Sequence, residues 1–277
     1  MARPILIVGI GGTGQWVLAH IKKNLLDAYG EIPLGVRLLS LDTTLAPEVA
    51  VGGWGRSRGA QAEGGVVDLT SEHIYIGGNA YNYVLQINQG QYPCIASWFN
   101  AGWFLSQQGS QGLLNLTIGA GRFRQLGRLA VFYNLAMEAH SILRNALNTG
   151  ILDIQRETGE NNLYAFLTGS LAGGTGAGMF ADVAHLIRAL AGVLGVAARI
   201  RGYFILPQAF DGTTNVGVPQ LRTDIIAKAF AAMRENSRFA AEFNYAEGYP
   251  MFYSCNENEG DAVLRGHIRS TLFELLY

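Results

Sequence analysis

At 277 residues, with 49% apolar and only 15% charged side chains, the chain has material for a sizeable core and is globular rather than disordered. A formal net charge of −1 gives no electrostatic pull toward nucleic acid or an anionic membrane, so neither a nucleic-acid partner nor membrane insertion is expected. Lys22, Lys23 and Lys228 are the only lysines and no Gly-Lys-Ser/Thr sequence exists, which excludes a P-loop nucleotidase.

In chain order, Ile5–Val8 reads as a buried parallel strand, continuous rather than alternating in its apolar pattern. It is too short for a signal peptide, and the glycine-rich turn Gly9-Ile-Gly-Gly-Thr-Gly14 interrupts it. Gln15–Tyr29 follows as an amphipathic helix, and Val36–Leu41 as a second strand ending at Asp42-Thr-Thr. Residues 45–118 mix glycine, glutamine and asparagine with short apolar runs. Short strands and helices are expected there, as an elaborated insertion rather than a separate domain, and Trp54, Tyr75, Tyr81, Trp98 and Trp103 argue against disorder. The spacing of Leu129, Phe132, Ala136, Ala139, Leu143 and Leu147 predicts one long helix from Gly127 to Asn148, with Gly150 as its stop. Strand Leu163–Leu167, helix Met179–Leu194, strand Ile200–Leu206, helix Pro219–Arg238, strand Met251–Ser254 and a final helix Ala262–Tyr277 complete the pattern. Strands alternating with helices predict an α/β fold, a doubly wound, mostly parallel sheet flanked by helices.

Cys94 and Cys255 lack metal-ligand spacing with each other and with the histidines. They read as buried thiols in a reducing cytoplasm, and no metal bound by protein ligands is expected. No apolar run is long enough to span a membrane.

The most informative stretch is Thr168-Gly-Ser-Leu-Ala-Gly-Gly-Thr-Gly-Ala-Gly178, which links a predicted strand to a predicted helix. Glycines at 173, 174, 176 and 178 remove Cβ atoms that would keep backbone N–H groups away from a phosphate, and Thr168, Ser170 and Thr175 add hydroxyls. Together with the Gly9–Gly14 turn it suggests one nucleotide held by several loops along a single sheet edge. Taken alone, Gly9-x-Gly11-x-x-Gly14 with Asp42 at the end of the second strand also fits a dinucleotide fingerprint, so an NAD-dependent oxidoreductase stays open at this point.

Leu171-Ala-Gly-Gly-Thr-Gly-Ala-Gly178 resembles the signature loop of the tubulin/FtsZ superfamily, with Ala172 in place of its first glycine. Gly9-Ile-Gly-Gly-Thr-Gly-Gln resembles the family's first phosphate loop, and Ser40-Leu-Asp42-Thr its Asn-Thr-Asp turn. Gly119-Ala-Gly121…Gly127-Arg128 resembles the loop that senses the γ-phosphate, and Pro207-Gln-Ala-Phe210-Asp211-Gly212 the loop near the ribose. The whole is similar to the bacterial tubulin-like proteins that diverge from FtsZ. The resemblance implies a cytoplasmic GTP- or GDP-binding domain with Mg2+, in which Gly11, Gly12, Thr13, Gly119, Ala120, Gly121, Ala172, Gly173, Gly174, Thr175 and Gly176 surround the phosphates. Asp42, Phe210, Asp211, Asn256 and Phe273 would contact ribose or base, Phe273 from a final helix like the start of the family's central helix. It further implies head-to-tail association with its own kind or a tubulin-like partner. The acidic loop that follows the central helix has no counterpart here, nor has the activating domain, so little or no GTPase activity is expected of this polypeptide alone. A non-polymerising, nucleotide-dependent interaction module acting through residues 45–118 is the alternative.

Overall fold

The computed structural model describes residues 3–45, 61–62, 65–117, 119–121, 123–136, 141–210, 219–242, 248–268 and 271–277. The expected Trp54, Asp211 and Gly212 contributions lie outside them. Strand β1 (Ile5–Ile10) runs directly into helix α1 (Gly11–Tyr29), and β2 (Val36–Asp42) follows. A short antiparallel pair, β3 (Gln61–Ala62) and β4 (Gly65–Val66), precedes β5 (His73–Tyr75). Four short helices come next: α2 (Tyr81–Asn88), α3 (Pro93–Ala96), α4 (Ala101–Ser106) and α5 (Ser110–Leu113). Then α6 (Arg124–Leu135), α7 (Ile142–Thr158), β6 (Asn162–Ser170), α8 (Gly174–Val193) and β7 (Ala197–Ile205) build the second half. A 3-10 turn (Pro207–Phe210), α9 (Pro219–Glu242), β8 (Tyr249–Phe252), β9 (Arg265–Ile268) and β10 (Leu275–Leu276) complete the described chain.

The main sheet has six strands in the order β10-β7-β6-β1-β2-β5, every neighbouring pair parallel. With helices flanking this sheet, the α/β class read from the sequence holds. β1 lies between β6 and β2, in register from Ile5↔Tyr164 to Ile10↔Gly169 on one side and from Ile5↔Val36 to Ile10↔Leu41 on the other. Three strands therefore end level with one another, and the loops that follow them leave the same edge. Helix α8 is apolar nearly all round and buried over most of its length, which makes it the central helix of the core. Among the described helices it alone is long and apolar enough to cross a membrane, and 72% of that stretch is buried inside the fold.

Four expectations need correction. The predicted helix 127–148 is two helices, because Ser141 caps the start of α7 and the Asn134 amide oxygen accepts from Ser141 Oγ at 2.8 Å and from the Leu143 N–H at 3.0 Å. Gly150 is no stop: it lies inside α7, on the face that looks onto Leu6 and Leu39 of the sheet. The final helix does not form. Residues 265–268 pair antiparallel with β8, and residues 275–276 extend the main sheet beside β7, where Tyr277 and Phe204 close further backbone bonds. Cys94 and Cys255 are joined in a disulfide across 161 residues, Cα–Cα 5.6 Å, tying α3 to the β8–β9 hairpin. That bond removes the basis on which the cysteines pointed to a reducing compartment.

Most described aromatics of the 45–118 region are core material, although Trp103 is exposed. Phe99 and Phe104 are buried and stacked at 4.8 Å, Tyr83 is buried against Tyr92 and Tyr133, and Trp98 packs on Phe132 of α6. These buried aromatics attach the region to the main core.

Candidate functional site

Both glycine-rich turns are helix starts. The residue before α1, Ile10, and the residue before α8, Gly173, are extended, and neither supplies a side-chain cap. The first-turn N–H groups of an α-helix have no partner within it, and the helix dipole puts partial positive charge there. Here two such ends lie side by side. A Cβ placed on Gly11, itself at φ +70°, would come 3.3 Å from Thr175 Cβ and 3.4 Å from the Gly176 nitrogen. The turns that the sequence separates by over 150 residues are therefore in contact at the carboxyl edge of the sheet. A pair of uncapped helix ends at one sheet edge is a ready anion cradle.

Two further loops close around it. At the end of β2, Asp42 is only 2% exposed and accepts from Gln15 Nε2 at 2.8 Å and from the Thr43 N–H at 2.7 Å. The Thr43 hydroxyl accepts from the Ala120 N–H at 3.0 Å and lies 3.4 Å from Thr175 Oγ1. Gly119 and Gly121 carry φ of +100° and +54°, and the Gly121 carbonyl accepts from the Gly174 N–H at 2.9 Å. The Pro207–Phe210 turn leaves the neighbouring strand β7 at the same edge, tied to the end of β6 where Leu171 N–H and Ser170 Oγ both donate to the Ile205 carbonyl. Phe210, at the end of that turn, is half-buried.

A family model described as tubulin like matches residues 6–260. The chain belongs to the tubulin-like family. Comparison with curated proteins returned no match. The tubulin-like assignment removes the oxidoreductase alternative as a reading of the Gly9–Gly14 turn.

Within this tubulin-like fold, Gly11, Gly12, Thr13, Gly119, Ala120, Gly121, Ala172, Gly173, Gly174, Thr175 and Gly176 fall in one loop cluster, but they divide by role. Gly12, Thr13, Ala172 and Gly119 are half-buried, and Gly121 and Gly173 are exposed. Gly174 is engaged elsewhere: its N–H is bonded to Gly121, and a Cβ on it would lie 2.7 Å from the Gly121 carbonyl. Ser170 and Thr175 do not offer free hydroxyls. Ser170 Oγ accepts from the Ala172 N–H at 3.0 Å and shapes the turn, and Thr175 joins the Asp42–Thr43 network.

Of three residues expected at ribose or base, Asp42 and Phe273 are corrected and Asn256 is located. Asp42 lies beneath the loops with its oxygens engaged by protein donors, so it braces the cradle rather than facing a ribose. Phe273 is 6% exposed, stacked on Phe180 of α8 and edge-on to Phe204 of β7, so it is a core aromatic. Asn256 is exposed in the β8–β9 hairpin, where its N–H bonds Ser254 Oγ and its Oδ1 accepts from the Asn258 N–H. Arg128 is not at the γ-phosphate loop either; it reaches Asp182 of α8 and lies over the Trp98 ring. Two residues the sequence reading passed over, Gln15 and Thr43, tie the loops together. Their only sequence signal was a polar side chain adjoining a phosphate-type turn.

Burial pushes the Asp42 carboxyl up to about 6, against the opposing pull of the N–H groups of Thr43 and Thr44. A carboxyl raised above its unfolded value binds a proton more readily in the folded chain. Its contribution is complete below about pH 4 and is lost as pH rises through about 6. Lowering the pH from 7.5 to 4 should therefore stabilise the wild type relative to Asp42→Asn by roughly 3 kcal/mol, read as converging or crossing thermal melts. Parallel pH profiles for the two proteins would show that Asp42 is not the titrating group.

Among the described residues of these loops, Asp42 is the one carboxylate, and no group of three His, Cys, Asp or Glu residues could hold a metal ion. A magnesium ion finds no protein cage here and would have to come with phosphate oxygens.

Proposed function

We propose that this chain binds a guanine nucleotide, GTP or GDP with magnesium on its phosphates, at the carboxyl edge of the sheet. The carrying observation is the contact between the two uncapped helix starts at Gly11 and Gly174–Gly176. N–H groups of Gly12, Thr13, Thr175 and Gly176 are the proposed phosphate donors, with Ala172 and Gly173 as the outer lip and Phe210 and Asp211 toward the ribose. The guanine preference rests on the family resemblance alone, since Phe273 is packed in the core. The chain is proposed to act in the cytoplasm as a cytoskeletal subunit, or the nucleotide-binding half of one, associating head to tail; such heterologous contacts propagate rather than close. Turnover by this polypeptide is proposed to be slow, because among the described residues of these loops the one carboxylate, Asp42, is buried and engaged by protein donors rather than free to orient a water.

Mass spectrometry of the nucleotide retained after gentle purification should find GTP or GDP. Sedimentation with GTP should then pellet the chain, and with GDP should not. A different retained ligand, or none together with no protection by GTP in a thermal melt, would overturn the binding assignment. A monomer under both nucleotides would overturn only the filament assignment.

A further inference from the structure

We propose that Thr43 is the positioning residue of the cradle: its buried hydroxyl locks the ends of β2 and α8 and the loop 119–121 into one anion-binding shape. The proposal rests on the reading that this cluster binds a polyphosphate. Thr43 is fully buried. A hydroxyl has one proton and two lone pairs, and three elements converge on this one: the Ala120 N–H donates to it at 3.0 Å, Thr175 Oγ1 lies at 3.4 Å, and Asp42 Oδ1 at 3.4 Å.

Ala120 needs this anchor. It is the buried centre of a loop whose flanking glycines both have positive φ, a backbone with several accessible shapes. The loop is held from within the cluster at two points, the Ala120 N–H on Thr43 and the Gly121 carbonyl on the Gly174 N–H. The second point is an N–H of the first turn of α8, next to those proposed to face the anion. Freeing the first point therefore loosens the wall and the donor turn together. A loop that samples several shapes binds more weakly in proportion to the fraction of time it is competent, so the hydroxyl should set affinity without touching the ligand.

The experiment measures tripolyphosphate and GTP affinity by calorimetry for the wild type, Thr43→Val and Thr43→Ser. Valine keeps the shape and removes the hydroxyl. It should weaken both ligands tenfold or more, and serine should recover affinity to within about threefold. Affinity retained in the valine variant, or lost equally in the serine variant, overturns the proposal. Because valine leaves a buried N–H unpaired and could impair folding, hydrogen exchange on the wild type gives a second reading. Ala120 should already be protected without ligand and be protected further by tripolyphosphate; fast exchange in the free protein overturns the proposal. The underlying nucleotide assignment fails differently, through a wild type that binds neither GTP nor tripolyphosphate.

Discussion

Alanine at Gly174 should destabilise the protein by about 1–3 kcal/mol and abolish nucleotide binding, whereas valine at the adjacent Gly173 should leave stability nearly unchanged while still weakening binding. The two glycines differ in what surrounds them. A Cβ on Gly174 would lie 2.7 Å from the Gly121 carbonyl oxygen, 2.8 Å from that of Ala120 and 3.0 Å from the Phe123 nitrogen. All three are backbone atoms that cannot swing aside. The same crossing depends on Gly127 of α6, whose Cβ would run into the Gly174 carbonyl, and on Gly178, whose Cβ would fall 2.9 Å from the Arg128 nitrogen. So α6 and α8 touch backbone to backbone, and the signature glycines serve helix packing as well as any ligand. Gly173 meets nothing within 4 Å, and its φ of −91° with ψ of 164° suits a β-branched residue. Its valine side chain would project into open space at the lip of the cradle. Thermal melts with and without nucleotide separate the outcomes: Gly173→Val should keep its unliganded melting temperature and lose the shift given by GTP. If Gly173→Val retains the full shift, the anion does not sit at that lip.

The parts of this architecture that were legible share one property: their signal is local. Continuous apolar runs marked β1, β2, β6 and β7, and glycine density after Val8 and Leu167 marked the two helix starts that meet at the sheet edge. What escaped depended on partners distant in sequence. The break before α7 comes from the Asn134 amide reaching across nine residues to the Leu143 N–H, so helical spacing alone ran the two helices together. The tail residues Val263, Leu264, Ile268, Leu272 and Phe273 fit a helical period and are indeed buried, but edge pairing with β7 and a hairpin with β8 decide their backbone. The same ambiguity moved Phe273 from a proposed base contact into the core. The Cys94–Cys255 bond joins elements 161 residues apart, and no spacing rule reaches that far. At the site, glycine pattern identified the loops but not which N–H groups were already engaged, since Gly174 is answered by Gly121 only once α6 is in place.

Replacing Arg128 with alanine should cost about 3–5 kcal/mol of stability at neutral pH. Arg128 lies 3.3 Å from Asp182, a carboxylate with a 2% exposed side chain on the central helix α8. The buried Tyr253 donates its OH to the other oxygen at 3.0 Å, and the guanidinium lies over Trp98 at 4.6 Å. Removing the arginine strands the carboxylate with one hydrogen bond and empties the space on Trp98. The melting temperature should fall on the order of 10 °C. Burial already raises the Asp182 carboxyl above its ordinary range, while the Arg128 charge opposes that shift. Without Arg128 the carboxyl rises further, and a group raised in the folded state stabilises below its unfolded value and loses that contribution as pH climbs. The Arg128→Ala defect should therefore be greatest near pH 7.5 and shrink as the solution is acidified toward pH 4. Adding Asp182→Asn should recover part of the loss at neutral pH and flatten the profile. A defect independent of pH and unrelieved by the second substitution would assign the role of Arg128 to packing on Trp98 alone. Because Arg128 follows directly on Gly127, the residue that seats α6 on the α8 start, the same variant should weaken nucleotide binding, and the loss should ease at acid pH in step with stability.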